Sequence, residues 1–185
     1  YPLGDSIDTV MPEFEWNFAL NEISMNCFMN NQFEIWMSDS LDPDVENPQW
    51  TFNQIDGSPF VFPTDENVLM PNKQYYWKMR GIGSNEVYNW SEISTFKTKP
   101  IGYVNPDHEA TNQSLTPYFI WEGPSGVPYY ELWVTGESDE NVINPFYVAS
   151  MLTNTQFLYI VSGEDALEYE HTYHWKIVPL DNDEN

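Results

Sequence analysis

Apolar and polar residues alternate along several short stretches of the chain. Phe14, Trp16 and Phe18 alternate with Glu13, Glu15 and Asn17, and Phe33, Ile35 and Met37 alternate with Glu34, Trp36 and Ser38. A period of two sends successive side chains to opposite faces of a strand, so each stretch predicts a strand with one face buried. Turn-forming clusters separate them: Asp39-Ser40-Leu41-Asp42-Pro43-Asp44, Asp56-Gly57-Ser58-Pro59, Gly83-Ser84-Asn85 and Pro124-Ser125-Gly126. No stretch carries a helical apolar stripe over three turns, and only Gly163 to Glu170 has room for a single helical turn. The pattern predicts an all-β chain of short antiparallel strands, one face of each sheet buried and the other wet.

The strands also repeat. Phe33-Glu34-Ile35-Trp36-Met37-Ser38 returns 97 positions later as Tyr130-Glu131-Leu132-Trp133-Val134-Thr135 (33 to 130), and Asn47-Pro48 returns as Asn144-Pro145 (47 to 144). Tyr75-Tyr76-Trp77-Lys78-Met79 returns as Tyr173-His174-Trp175-Lys176-Ile177, 98 positions on (75 to 173). Pro12-Glu13-Phe14-Glu15-Trp16 matches Pro117-Tyr118-Phe119-Ile120-Trp121 at a spacing of 105 (12 to 117). The first copy therefore carries eight extra residues (105 less 97) between Trp16 and Phe33. Four blocks in the same order indicate two copies of one domain.

Composition then removes several classes of function. The 185 residues hold 29 Asp and Glu against 6 Lys and Arg, a formal charge of -23. A surface this negative repels phosphate backbones and anionic lipid, which excludes nucleic-acid binding and charge-driven membrane binding. With 41% apolar and 17% aromatic residues the chain has ample material for a core and does not read as an acidic disordered tail. A lone cysteine, Cys27, excludes an internal disulfide framework and a thiolate metal cluster. No apolar run reaches membrane-spanning length, and the start, which lacks Met and a signal peptide, reads as a processed or cut end.

Each copy resembles a fibronectin type III domain, in the style of tandem modules in secreted or cell-surface bacterial proteins. The most specific residues are Leu69-Met70-Pro71-Asn72-Lys73-Gln74-Tyr75, which match that family's Leu-x-Pro-x-x-x-Tyr entry to strand F. There the tyrosine ring packs inside while its hydroxyl returns to the backbone of the preceding connection. The second copy keeps Leu167 and Tyr173 at the same separation but has Tyr169 in place of the proline. Trp16 and Trp121 fit the family's strand B tryptophan, and Trp90-Ser91 through Phe96-Lys97-Thr98 fit the approach to its last strand, G. The resemblance implies two tandem immunoglobulin-like (fibronectin type III) antiparallel sandwiches. The first covers 1–99, with residues 1–10 linker-like. The second covers 100–185 and is incomplete at its C-terminal end, because Asp181-Asn182-Asp183-Glu184-Asn185 fall where the turn into strand G belongs. Two origins fit: a fragment of a longer array, or a last strand supplied by something else. The expected core residues are Trp16, Tyr75, Trp77, Trp121, Tyr173 and Trp175.

Candidate chemistry is sparse. Glu13 and Glu15 share one strand face, but the aromatics between them point inward and leave the acids in solvent, without a cleft to perturb them. His171 and His174 are too few for a closed zinc site, and no metal site is expected. The acidic turns Asp39, Asp42, Asp44, Glu46 and Asp139, Glu140 hold enough oxygens to raise calcium as a cofactor, yet lack the EF-hand pattern, and solvated loops are the default. Asn89-Trp90-Ser91 and Asn112-Gln113-Ser114 are short glycosylation-type sequons. The apolar insertion between Phe18 and Gln32 is expected to pack as a local cap or against a neighbour.

One feature does not follow from the fold. With Ile35 and Leu132 facing the cores, Trp36 and Trp133 face out, beside Tyr76, Lys78 and Arg80 in the first copy and His174 and Lys176 in the second. This outer strip is either a set of cross-strand cation–aromatic pairs or a contact surface for sugar rings or partner domains. The sequence therefore predicts a non-catalytic extracellular or cell-surface module: a spacer, stalk or adhesive segment of a larger protein. Its expected partners are neighbouring domains or identical subunits. The alternatives are a filament subunit completed by strand exchange, with Tyr1 to Thr9 as donor, and a carbohydrate-binding appendage using the outward tryptophans.

Overall fold

The computed structural model describes residues 6–16, 32–63, 69–83 and 86–180. The chain divides into two compact units, one formed by Tyr1–Pro63 and Asn72–Lys99, the other by Thr64–Pro71 and Pro100–Asn185. Neither contains an α-helix among the described residues.

The first unit holds β1 (Ser6–Ile7), β2 (Glu13–Phe14), β3 (Gln32–Asp39), β4 (Trp50–Ile55), β5 (Phe60–Val61), β6 (Gln74–Ile82) and β7 (Ser94–Thr98). A five-stranded sheet runs β1-β7-β6-β3-β4 and faces the pair β2-β5. Along β6 the period of two holds: Tyr75, Trp77 and Met79 point into the core while their neighbours are half-buried outside. Phe14 reaches across to the edge of Trp77 at 4.9 Å, and Phe52 meets Phe60 at 5.1 Å and Phe62 at 5.4 Å. Aromatic edges meeting faces hold the two layers together.

The second unit repeats this plan with β8 (Gly102–Asn105), β9 (Tyr118–Glu122), β10 (Tyr129–Gly136), β11 (Tyr147–Leu152), β12 (Gln156–Leu158) and β13 (Tyr173–Leu180). Its sheets run β11-β10-β13 and β12-β9-β8. Phe119 meets Trp175 at 4.8 Å, Trp121 meets Tyr130 at 5.6 Å, and Tyr147 meets Tyr159 at 4.7 Å. The predicted helical turn is a 3-10 turn at Gly163–Asp165, tied by the Tyr159 hydroxyl, which donates to the Asp165 carbonyl at 2.6 Å. The Tyr173 hydroxyl accepts the Glu168 N–H at 2.9 Å, so a half-buried ring returns its hydroxyl to the backbone of the preceding connection. Both units are immunoglobulin-like sandwiches of two facing sheets, antiparallel except for the β1–β7 pair.

The copies agree in irregular detail as well. The register of β3 on β4 slips between Phe33 and Ile35, and that of β10 on β11 between Tyr130 and Leu132. The bulge falls on a left-handed residue in each case, Gln54 (φ 60) and Met151 (φ 56), 97 positions apart. The turn after β3 places Val45 at φ 51, and the turn after β10 places Val142 at φ 51. That conformation is costly for a β-branched residue, and burial of both valines offsets it.

Four expectations need correction. Trp16 is half-buried, and β2 ends before it. In the β2–β5 register Glu15 falls opposite Pro59, which has no N–H to offer, so the ladder stops. The Trp16 N–H instead donates to the Ser58 hydroxyl at 3.1 Å, and its ring meets Phe33 at 5.3 Å. Gln156 occupies the matching place in β12, and there the pairing continues. Tyr173 and Trp175 are also half-buried rather than central. Within the linker-like residues 1–10, Ser6–Ile7 form a strand parallel to β7. Finally, Asp39 is not a solvated loop acid: it is 1% exposed, with Lys73 Nζ at 2.6 Å. The insertion, including Cys27, the residues 1–5 and the acidic end 181–185 lie outside the described residues.

Candidate functional site

The outer strip of the first unit is assembled by sheet register. β3 and β6 pair Trp36 with Lys78 and Glu34 with Arg80. Glu34, only 7% exposed, divides its two oxygens: Oε1 accepts the Trp36 indole N–H at 2.6 Å and Oε2 accepts Arg80 Nε at 2.6 Å. Trp90, from the segment before β7, lies against Trp36 with ring centroids 4.5 Å apart at 47°. Arg80 sits 4.4 Å from the Trp90 ring and 5.8 Å from that of Trp36, and Lys78 Nζ is 5.2 Å and 5.4 Å from the same two rings. Lys78 also donates to the Asp44 carbonyl at 3.3 Å. Two cations and two indoles interleave over a carboxylate, and each contact of this kind contributes about 0.5–1 kcal/mol at a surface.

Trp90 is held there by Ser91. The Ser91 N–H donates to the Met79 carbonyl at 2.8 Å, the Met79 N–H donates to the Ser91 hydroxyl at 3.1 Å, and that hydroxyl donates to the Glu92 carbonyl. The Ser91 side chain that would complete the Asn89 sequon thus serves the fold.

The second unit has a shorter version. Trp133 stands opposite Lys176 and Val148, with Lys176 Nζ 4.4 Å from its ring. Its indole N–H donates to Glu131 Oε2 at 2.7 Å, and the Ser150 hydroxyl donates to Glu131 Oε1 at 2.7 Å. Val178 stands across from Glu131, where the first unit has Arg80, so Ser150 takes over as the second partner. Structure thus brings Trp36, Lys78 and Arg80 together, and Trp133 with Lys176. Tyr76 and His174 stand one rung away, opposite Ser38 and Thr135. Sequence reasoning missed Glu34, Glu131 and Trp90. The signal for the acids was their position two residues before each tryptophan, on the same strand face.

The acidic turns are spent on backbone. Asp42 accepts the N–H groups of Glu46 (3.2 Å) and Asn47 (2.7 Å), and Asp139 those of Ile143 (2.8 Å) and Asn144 (2.7 Å). The Ser38 and Thr135 hydroxyls donate to the Asp42 and Asp139 carbonyls. These N–H donors hold the Asp139 carboxyl below the usual aspartate range. Burial pushes Asp39 upward, but the hydrogen bond and charge of Lys73 and the Leu41 N–H outweigh it and leave that carboxyl low. Burial, with the charge of Asp165, raises the Tyr159 hydroxyl to about 12. Among the described residues no three His, Cys, Asp or Glu side chains gather closely enough to hold a metal.

No protein-family model and no curated protein matches the chain. Solved structures similar to it include an alpha-L-rhamnosidase from Dictyoglumus thermophilum, 18% identical with a TM-score of 0.41 over 72% of this chain. The FN1-FN3 domains of chicken CNTN1 are 12% identical with a TM-score of 0.38 over 98% of this chain. A two-domain fibronectin type III segment of chicken tenascin is 12% identical with a TM-score of 0.37, covering 98% of this chain and 90% of that one. The chain spans 16% of the length of the rhamnosidase and 58% of that of the CNTN1 structure.

Proposed function

We propose that this chain is a non-catalytic structural module of an extracellular or cell-surface protein, a spacer or stalk that holds other parts at a distance. The observation that carries this reading is how the candidate groups are used. The outward tryptophans are fixed by Glu34 and Glu131 and covered by cations, and the turn aspartates serve backbone N–H groups. These side chains act on the fold itself, and the net charge of -23 keeps such a module soluble and apart from its neighbours.

A contact role for the strip is the competing reading, with Trp133 its best place, since no second indole covers it among the described residues. Retention of the intact chain on a glycan array distinguishes the two. The structural reading predicts no retention above background, and no turnover on a panel of glycoside and peptide substrates. Specific retention that Trp133→Ala abolishes without lowering the melting temperature would establish the contact reading instead.

A further inference from the structure

Residues 141–163 carry no charge, 23 in succession (141 to 163) in a chain where 35 of 185 residues (29 plus 6) are charged. Glu140 and Glu164 bound the run. It builds β11 and β12, the outermost strands of the two facing sheets, joined by residues 153–155. The two strands therefore line one lateral side of the second unit, where Tyr147 meets Phe157 at 6.4 Å and Tyr159 at 4.7 Å. Described chain continues at both ends of each strand, and none of it pairs with their outer sides. Exposed apolar residues gather here: Ile143, Phe146, Val148, Met151, Leu158 and Ile160 are between 39% and 72% exposed. The first copy shows that the fold does not ask for them. At four of the six places it has Glu46, Gln49, Thr51 and Gln54 (46 to 143, 49 to 146, 51 to 148, 54 to 151). Its matching stretch, 44–66, also holds five acids: Asp44, Glu46, Asp56, Asp65 and Glu66.

We infer that this uncharged side is a two-fold contact between two copies of the chain, with the β11 edges running antiparallel. Charge selects the occupant. A cationic partner, drawn to a chain of -23, finds no carboxylate along the run, whereas a second copy is repelled by acids elsewhere and meets none within this stretch. A two-fold axis sets the uncharged side of one copy on the same side of the other, the commonest arrangement of soluble oligomers. The bulge at Met151 bends β11 beyond Ser150, so the backbone ladder is short and the apolar side chains carry most of the contact. Area sets the strength. The six residues of β11 span about 20 Å, and facing sheets lie about 10 Å apart, so this side offers roughly 200–400 Å². That is below the about 800 Å² per partner of a stable interface, which makes the contact weak and reversible, with a Kd on the order of 100 µM. At low salt the remaining charge holds the copies apart, and screening lets them meet.

The test is sedimentation equilibrium of the intact chain from about 10 µM to 1 mM, at about 0.05 and 0.5 M salt. At the higher salt the mass is expected to rise with concentration from 21.7 kDa towards twice that value, and to rise less at the lower salt. Amide exchange across 147–152 slows at the top of the concentration range, while exchange across 50–55, the matching edge of the first unit, does not. Val148→Glu places two like charges across the axis and is expected to weaken association at least ~10-fold. Val61→Glu, which adds the same charge at an exposed valine of the first unit, leaves association unchanged. Melting temperatures of the two variants show that both remain folded. A mass of 21.7 kDa throughout would overturn the inference and leave this side to a different partner. So would association that both variants weaken equally, or that Val148→Glu leaves intact.

Discussion

Glu34 shows how much a single outward residue can carry. It is almost out of water, and each oxygen has its own donor, the Trp36 indole and Arg80. Glu34→Leu strands a guanidinium beside an apolar side chain and is expected to cost about 2–3 kcal/mol in equilibrium unfolding. Glu131→Leu removes only neutral donors, an indole and a hydroxyl, so its cost is expected to be about half as large. The same scale sets the pH dependence. Asp39 has a folded-state value below its unfolded one, so its contribution is full above about pH 4 and fades as pH falls through the lower folded value. Tyr159 has the opposite sign: its contribution is full below about pH 10 and fades as pH rises towards about 12. Ultraviolet titration of tyrosinate is expected to show late-ionising groups in the second unit, since burial raises Tyr130 and Tyr147 as well, and Tyr159→Phe removes the step at about pH 12. Alternation alone located Trp36 and Trp133 on the outer face. It left out Glu34, because Arg80 lies on another strand and only the register puts it opposite that acid. Trp90 sits on a segment with no period at all, pinned by Ser91 hydrogen bonds that composition does not reveal.

At the level of elements, the chain repeats its defects as faithfully as its strands. The same spacing of 97 separates Asp42 from Asp139, Val45 from Val142 and Gln54 from Met151. Each aspartate ties two N–H groups of a turn whose valine is buried in a left-handed conformation. Asp42→Ala is expected to lower stability by about 1 kcal/mol, the cost of losing a local cap, and Asp139→Ala to lower the urea midpoint in the same direction, both read by urea denaturation. Such turns were legible as turns but not as devices: the four acids of the 39–46 turn read by default as a solvated cluster, with calcium the alternative. The length of β2 was hidden for a different reason. Trp16 continues the alternating pattern, and what ends the strand is Pro59 on the facing strand, remote in sequence.

For the whole molecule, two like-built sandwiches were visible in the order and spacing of four blocks, because each block is a strand that needs the same neighbours. Charge operates at this scale too. With 29 acids and 6 bases, self-repulsion opposes compactness, and screening relieves it. Raising salt from about 0.05 to 0.5 M shortens the Debye length to a few ångströms and is expected to raise the melting temperature of the intact chain. The central claim concerns the tryptophans that look most like a binding surface. The most direct test is urea unfolding of the intact chain carrying Trp36→Ala or Trp133→Ala, with hydrogen exchange assigning the loss to its unit. The account predicts losses of about 1–3 kcal/mol in the unit that carries the change, larger for Trp36 with its two cations and second indole. Unfolding midpoints unmoved by both substitutions would contradict it, because indoles that contribute nothing to the fold would be there for something else.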